Sequence, residues 1–168
     1  MPAGSTYTPL ATTTLGSDTA DITFSSISGS YTDLVVIGNV GASTTDSAVT
    51  LRLNSDSGSN YSFTNIYGNG TSAASSRSTA TAAYLAWFVC PIAAIEHNVV
   101  AHIMNYSNTT TFKTVISRAN RASSGSFPGT ESIVSLWRST AAITTIRIAG
   151  GGNLKAGTTF TLYGIAAA

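Results

Sequence analysis

Two histidines, one cysteine and seven carboxylates are the side chains of this sequence best suited to chemistry. Nucleophilic catalysis needs a base beside a Ser or Cys. His97 and His102 are five residues apart, so in one regular strand they point to opposite faces. No G-x-S-x-G elbow occurs, and the many serines follow from composition. Cys90 precedes Pro91 inside an apolar run and reads as a buried thiol; as the lone cysteine it forms no intrachain disulfide. Glycan cleavage normally needs two carboxylates flanking the bond. Glu96, Glu131 and five aspartates form no evident pair, and Asp33 and Asp56 sit in turn-like settings.

Residues 54–60, Asn-Ser-Asp-Ser-Gly-Ser-Asn, place oxygen ligands at alternate positions around a Gly, as a calcium loop does. They lack the run of acids and the closing Glu of such loops, and the favoured reading is a hairpin turn. Gly150-Gly151-Gly152 lacks the Gly-Lys-Ser/Thr of a phosphate loop and reads as a flexible tip between strands. No catalytic, cofactor-binding or metal-binding residue is assigned, and the chain is read as non-enzymatic.

The elements that would carry these residues are short β-type segments between turn residues. Val49, Leu51 and Leu53 alternate with Thr50, Arg52 and Asn54, the period of a half-buried strand. Leu34-Val35-Val36-Ile37 is a continuous apolar run of the type expected deep in a sheet. Further strands are expected over residues 22–27, 33–40, 60–67, 82–89, 99–106, 112–119, 132–138, 143–149 and 159–165. Residues 105–111 read as a hairpin connection. Residues 73–83 are Ala-rich but loaded with Ser and Thr, which compete with helical hydrogen bonds, and read as a long loop with a helical turn as an option. The turn spacing predicts an all-β fold, an antiparallel β-sandwich with a jelly-roll-like arrangement. Residues 1–17 are expected as an extended N-terminal arm and residues 18–168 as the sandwich domain.

Composition narrows the function. Charged residues make up 9% of the chain, and Ser and Thr close to a third. A typical soluble domain is about 25% charged. Eight basic residues against seven acidic ones, with no basic run, argue against nucleic acid as the main partner. Arg118 and Arg121, the closest cluster, read as a strand end. A weakly charged hydroxyl surface suits a chain that works inside an assembly. The opening residues show no basic or long apolar segment, so no secretion signal is expected. The run over residues 84–95 is too short to cross a bilayer. Synthesis in a cytoplasm is expected, with no membrane partner.

Several phrases stand in a characteristic order: Tyr7-Thr8-Pro9-Leu10-Ala11, Phe24-Ser25-Ser26-Ile27, Tyr31-Thr32-Asp33-Leu34-Val35, Leu51-Arg52-Leu53-Asn54-Ser55-Asp56, Met104-Asn105-Tyr106-Ser107-Asn108, Leu136-Trp137-Arg138-Ser139 and Thr159-Phe160-Thr161-Leu162-Tyr163-Gly164-Ile165. Over nearly the whole chain this set resembles a family of small structural proteins and fibre-tip domains of tailed bacteriophages, cyanophages included. The resemblance implies a virion component, a homotrimeric β-sandwich made in the host cytoplasm. It leaves two placements: a capsid decoration (cement) protein on the outer head surface, bridging and stabilising the major capsid protein, or a tail-fibre domain beside other tail proteins that contacts host surface glycans. The short chain, the arm and the low charge favour the head.

Tyr7, Leu10, Leu15, Trp87 and Phe88 are the candidate subunit or capsid contacts. Trp87 and Phe88 are adjacent, so in a strand one of them leaves the core unless both faces are covered. Tyr61, Tyr67 and Asn69 are the candidate glycan contacts of the fibre reading. Trp137 reads as core and Arg138 as an interface or solvent residue.

Overall fold

The computed structural model describes residues 6–43, 48–89, 96–122 and 129–166. Twelve strands run in order: β1 (Tyr7–Thr14), β2 (Thr19–Phe24), β3 (Asp33–Val40), β4 (Val49–Leu53), β5 (Tyr61–Gly68), β6 (Ala73–Ala80), β7 (Ala83–Ala86), β8 (His97–Met104), β9 (Lys113–Arg121), β10 (Gly129–Trp137), β11 (Ile146–Leu154) and β12 (Thr159–Ile165). An eight-stranded sheet has the order β1-β12-β3-β8-β9-β10-β5-β6, and a four-stranded sheet the order β2-β11-β4-β7. All pairings are antiparallel. The fold is a β-sandwich. A jelly roll divides eight strands between its sheets; here the sheets are unequal, eight against four.

Strict alternation builds the core. On the large sheet the inward side chains include Leu34 and Val36, Val99, Ala101 and Ile103, Val115, Ile133 and Trp137, and Phe160 and Leu162, all buried. Ile22 and Phe24, Leu51 and Leu53, Leu85, and Ile146 and Ile148 are buried on the small sheet. Period-two alternation puts apolar side chains on one face and leaves the other for polar ones. The Phe160 ring lies across Gly38, where an added Cβ would stand 2.4 Å from a ring carbon. Only a glycine fits that close approach.

Turn chemistry sets the connections, including the crossing from β4 in the small sheet to β5 in the large one. Asn54 and Ser55 hold positive φ of 50° and 58°, and Asp56 N donates to Leu53 O at 3.0 Å. These are the left-handed residues of a type I′ turn. Asn69 Oδ1 accepts the amides of Thr71 and Ser72, and Asn108 Oδ1 those of Thr110 and Thr111. Two Asx turns thus close the β5–β6 and β8–β9 hairpins; residues 105–111 form the connection expected of them.

Several expectations change. Residues 73–80, expected within a loop, form β6, in unbroken register with β5 from Tyr61↔Ala80 to Gly68↔Ala73. The strand shows no alternation because it is exposed along nearly all its length, so pairing, not burial, forms it. Gly150-Gly151-Gly152 is no free tip but part of β11, where pairing with β2 is interrupted between Ala149 and Leu154 and Gly151 N donates to Ala48 O. Over residues 7–14 the segment expected as an arm is β1, an edge strand on this chain's own β12, reinforced by Thr12–Thr161 and Thr14–Thr159 hydroxyl bonds of 3.0 and 2.9 Å. Arg118 and Arg121 do not both mark a strand end: Arg118 points outward mid-strand, and Arg121 is buried at the end of β9.

Candidate functional site

The outer face of the large sheet carries several exposed aliphatic side chains. Its register sets Val35, His102, Ile116, Val134, Thr64 and Arg77 in one row across six strands. The neighbouring row is Ile37, Val100, Arg118, Ser132, Ile66 and Ser75. Ile37, Ile66, Ile116 and Val134 are exposed by 42%, 62%, 38% and 45%. The apolar run of β3 therefore splits by parity, Leu34 and Val36 inward, Val35 and Ile37 on the outer face, where Val35 is buried among its neighbours and Ile37 is exposed. An antiparallel sheet that faces water on one side ordinarily keeps that side polar. This one alternates aliphatic side chains with hydroxyls and the guanidinium groups of Arg77 and Arg118. A groove of about 500 Å³ at its β6 end lies between Arg77 and Arg138, with Ser62, Thr64 and Thr79 on its walls and Val134 and Leu136 below.

Beneath the same end of the sheet, Glu131 is a polar anchor. Its Oε2 accepts the backbone amides of Trp87, Phe88 and Val89 at 2.9, 2.9 and 3.2 Å, and its Oε1 accepts Asn65 Nδ2 at 2.7 Å. Asn65 Oδ1 in turn accepts the Ser76 hydroxyl at 2.5 Å and the Ser76 amide at 3.2 Å. One chain of hydrogen bonds joins the segment after β7, through β10 and β5, to edge strand β6. Glu131 was not singled out from sequence. The signal was its parity: it lies an even number of residues from the buried Trp137 on one strand.

The Glu131 bonds hold an aromatic ledge. Trp87 and Phe88 lie just past β7, not within a strand, and are 41% and 37% exposed. Phe88 stacks on Tyr67 with centroids 3.8 Å apart. Trp87 packs against Tyr84 and Phe63 at 4.5 and 5.4 Å. Phe88 is thus brought onto Tyr67, while Trp87 is held on Tyr84 and Phe63.

The other contact candidates fall elsewhere. Tyr7 is exposed on β1, edge-on to Tyr163. Leu10 and Leu15 are partly buried against this chain's own core. Of the glycan candidates, Tyr61 is fully enclosed, because its position in β5 faces inward, where it stacks on Trp137. Its hydroxyl accepts Leu53 N and donates to Asp56 O, and burial, with the nearby Asp56 charge adding to it, raises its pKa to about 12. Asn69 spends its side-chain oxygen inside its own turn. Tyr61, Tyr67 and Asn69 therefore do not form one exposed surface.

The residues suited to chemistry are dispersed. His97 is buried and faces inward, whereas His102 faces outward with Nε2 3.2 Å from Asp33 Oδ2, as the five-residue spacing requires. Cys90 lies outside the described residues. Asp56 caps its own loop, accepting Trp137 Nε1 at 2.7 Å, Asn60 Nδ2 at 2.9 Å and Gly58 N at 2.8 Å, bonds that lower its pKa. Residues 54–60 thus act as a turn, but one that carries the chain from the small sheet to the large one and not the expected hairpin, since β4 and β5 do not pair. The Asp21 carboxylate is held below its ordinary pKa by a 2.7 Å bond from Arg147. Lys113 is fully buried and donates to the carbonyls of Thr111 and Thr140; desolvation lowers its pKa. Among the described residues no three His, Cys, Asp or Glu side chains gather as a metal site would require. Comparison with protein-family models, with curated proteins and with solved structures matched none of them.

Proposed function

We propose that this chain is a non-enzymatic structural protein of a tailed-phage particle. In this reading it is a homotrimeric capsid decoration protein that bridges major capsid subunits on the outer head. The observation that carries the reading is the outer face of the large sheet. Ile37, Ile66, Ile116 and Val134 stand exposed across several strands of it, among hydroxyls rather than the dense charges that keep a solvated sheet apart from its neighbours. A surface of that kind suits burial against another subunit, where apolar area supplies the attraction and hydroxyls adapt to the partner's hydrogen bonds. The low charge, and the resemblance of the ordered phrases to those of phage structural proteins, support the same reading. Light scattering on the purified chain tests the assembly. Wild type is expected as a trimer, and Val134→Arg and Ile116→Arg, both at exposed positions, as folded species of lower mass or lower affinity for the shell. A wild-type monomer with no affinity for capsid shells would overturn the proposal.

The aromatic ledge favours a second reading, a tail-fibre domain that contacts host glycans. Tyr67, Trp87 and Phe88 offer ring faces of the kind on which sugars stack. Binding of host surface polysaccharide that is lost in Trp87→Ala, with Val134→Arg unaffected, would select it.

A further inference from the structure

The two edges of the large sheet are built differently. β1 carries Pro9, and its pairing with β12 slips between Pro9 and Ala11. A proline and a bulge are devices that blunt an edge against further pairing. β6 has neither. Its eight residues, Ala-Ala-Ser-Ser-Arg-Ser-Thr-Ala, keep unbroken register with β5 and are exposed on both faces. Alternate residues of such a strand turn their N–H and C=O groups away from β5. Among the described residues no strand takes up that outer edge. The edge is also held in place, since Ser76 is tied through Asn65 to the buried Glu131.

We infer that the outer edge of β6 takes up an extended acidic segment of a partner protein as an added strand. The small side chains of β6 leave its backbone accessible, and main-chain bonds supply the affinity in strand addition. Charge selects the occupant. Arg77 stands exposed at the middle of β6, beside the free edge. Among the described residues no carboxylate pairs with its guanidinium. An acidic residue on the added strand, opposite Arg77, would complete a cross-strand ion pair. A second copy of this chain fits less well. Its β6 carries no acid and would bring two Arg77 side chains together, and Asp21, Asp33, Asp56 and Glu131 are already engaged within their own fold.

The inference rests on the reading of the chain as a contact protein, but its test is independent of where the chain sits. The probes are a soluble synthetic octapeptide of alternating threonine and serine with a central glutamate, its lysine counterpart, and the glutamate peptide N-methylated at alternate amides in either register. Full-length protein is followed by amide hydrogen exchange and by fluorescence anisotropy of the labelled peptides. The glutamate peptide is expected to bind about tenfold or more tighter than the lysine peptide and to slow exchange of alternate β6 amides. One N-methylated register should lose binding. Arg77→Glu should reverse the preference, and Arg77→Gln, a milder change at the same exposed site, should abolish it. Absence of binding, binding without protection of β6, or a preference unchanged in Arg77→Glu would overturn the inference. So would β6 protection that grows with protein concentration alone, which would assign the edge to a second copy. None of these failures bears on the trimer or on its place on a particle.

Discussion

Removing the Glu131 carboxylate tests how the cross-sheet segment is held. In Glu131→Ala the amides of Trp87, Phe88 and Val89 and the side-chain amide of Asn65 lose their acceptor together. The bonds to Val89 and Asn65 are buried, and those to Trp87 and Phe88 are partly buried, so water replaces only the latter pair. Leaving a buried donor unsatisfied costs about 1–3 kcal/mol. Two such donors, with the methylenes lost from the core, bring the expected cost to roughly 4 kcal/mol. That is a large share of the ~5–15 kcal/mol that holds a domain folded. Glu131→Gln should recover little, since its NH2 must face donors whichever way the amide turns; a loss of about 2–4 kcal/mol is expected. Urea unfolding of the three proteins reads the difference as a shift in midpoint at constant slope. Exchange at the Trp87, Phe88 and Val89 amides should accelerate in both variants. A loss below about 1 kcal/mol in Glu131→Ala, with those amides still protected, would refute the reasoning.

Three further outcomes follow from the fold. Tyr61, with its pKa raised to about 12 from an ordinary value near 10, contributes stability that is complete below about pH 10 and is lost as pH rises through its folded-state value; the loss is roughly 3 kcal/mol, and Tyr61→Phe should flatten that alkaline limb. Gly38→Ala drives a methyl into the Phe160 ring and should cost about 1–3 kcal/mol in urea unfolding, with partial rescue by Phe160→Leu; an unchanged midpoint would mean the ring is not seated there. Deletion of residues 1–17 strips β1 from β12 together with the partly buried Leu10 and Leu15, and should lower the thermal midpoint while leaving a folded core that associates more readily through the uncovered β12 edge. A truncated chain with unaltered midpoint and sedimentation would show that β1 contributes neither stability nor edge protection.

The parts of the fold legible in the sequence are those in which burial writes a period of two. Val49, Leu51 and Leu53 alternate because one face of β4 meets the core, and the opposed histidines of β8 follow the same rule. The Asn-rich connection before β9 was legible because a side-chain oxygen accepting two backbone amides is a local device. β6 was not legible. It is exposed on both faces, so no periodicity marks it, and its strand state comes from the β5 ladder and the Asn65–Ser76 bonds. Tyr61 misled for the opposite reason: it begins β5 beside a polar loop, yet the parity of that strand turns it inward. The outward row of aliphatics was only half visible. The run over Leu34 to Ile37 showed that β3 is apolar on both faces, but Ile66, Ile116 and Val134 stand alone in sequence and become a surface only through the strand order.

Cryo-EM of purified particles from the source of this sequence, with the β-sandwich fitted to both head and tail density, tests the central proposal most directly. The expected result is symmetric copies in groups of three on the shell, each seated against its neighbours or the capsid through Ile37, Ile66, Ile116 and Val134. Particles that lack the chain, or that hold it with this face turned to solvent, would contradict the proposal, and density at the tail alone would transfer the chain to the fibre reading.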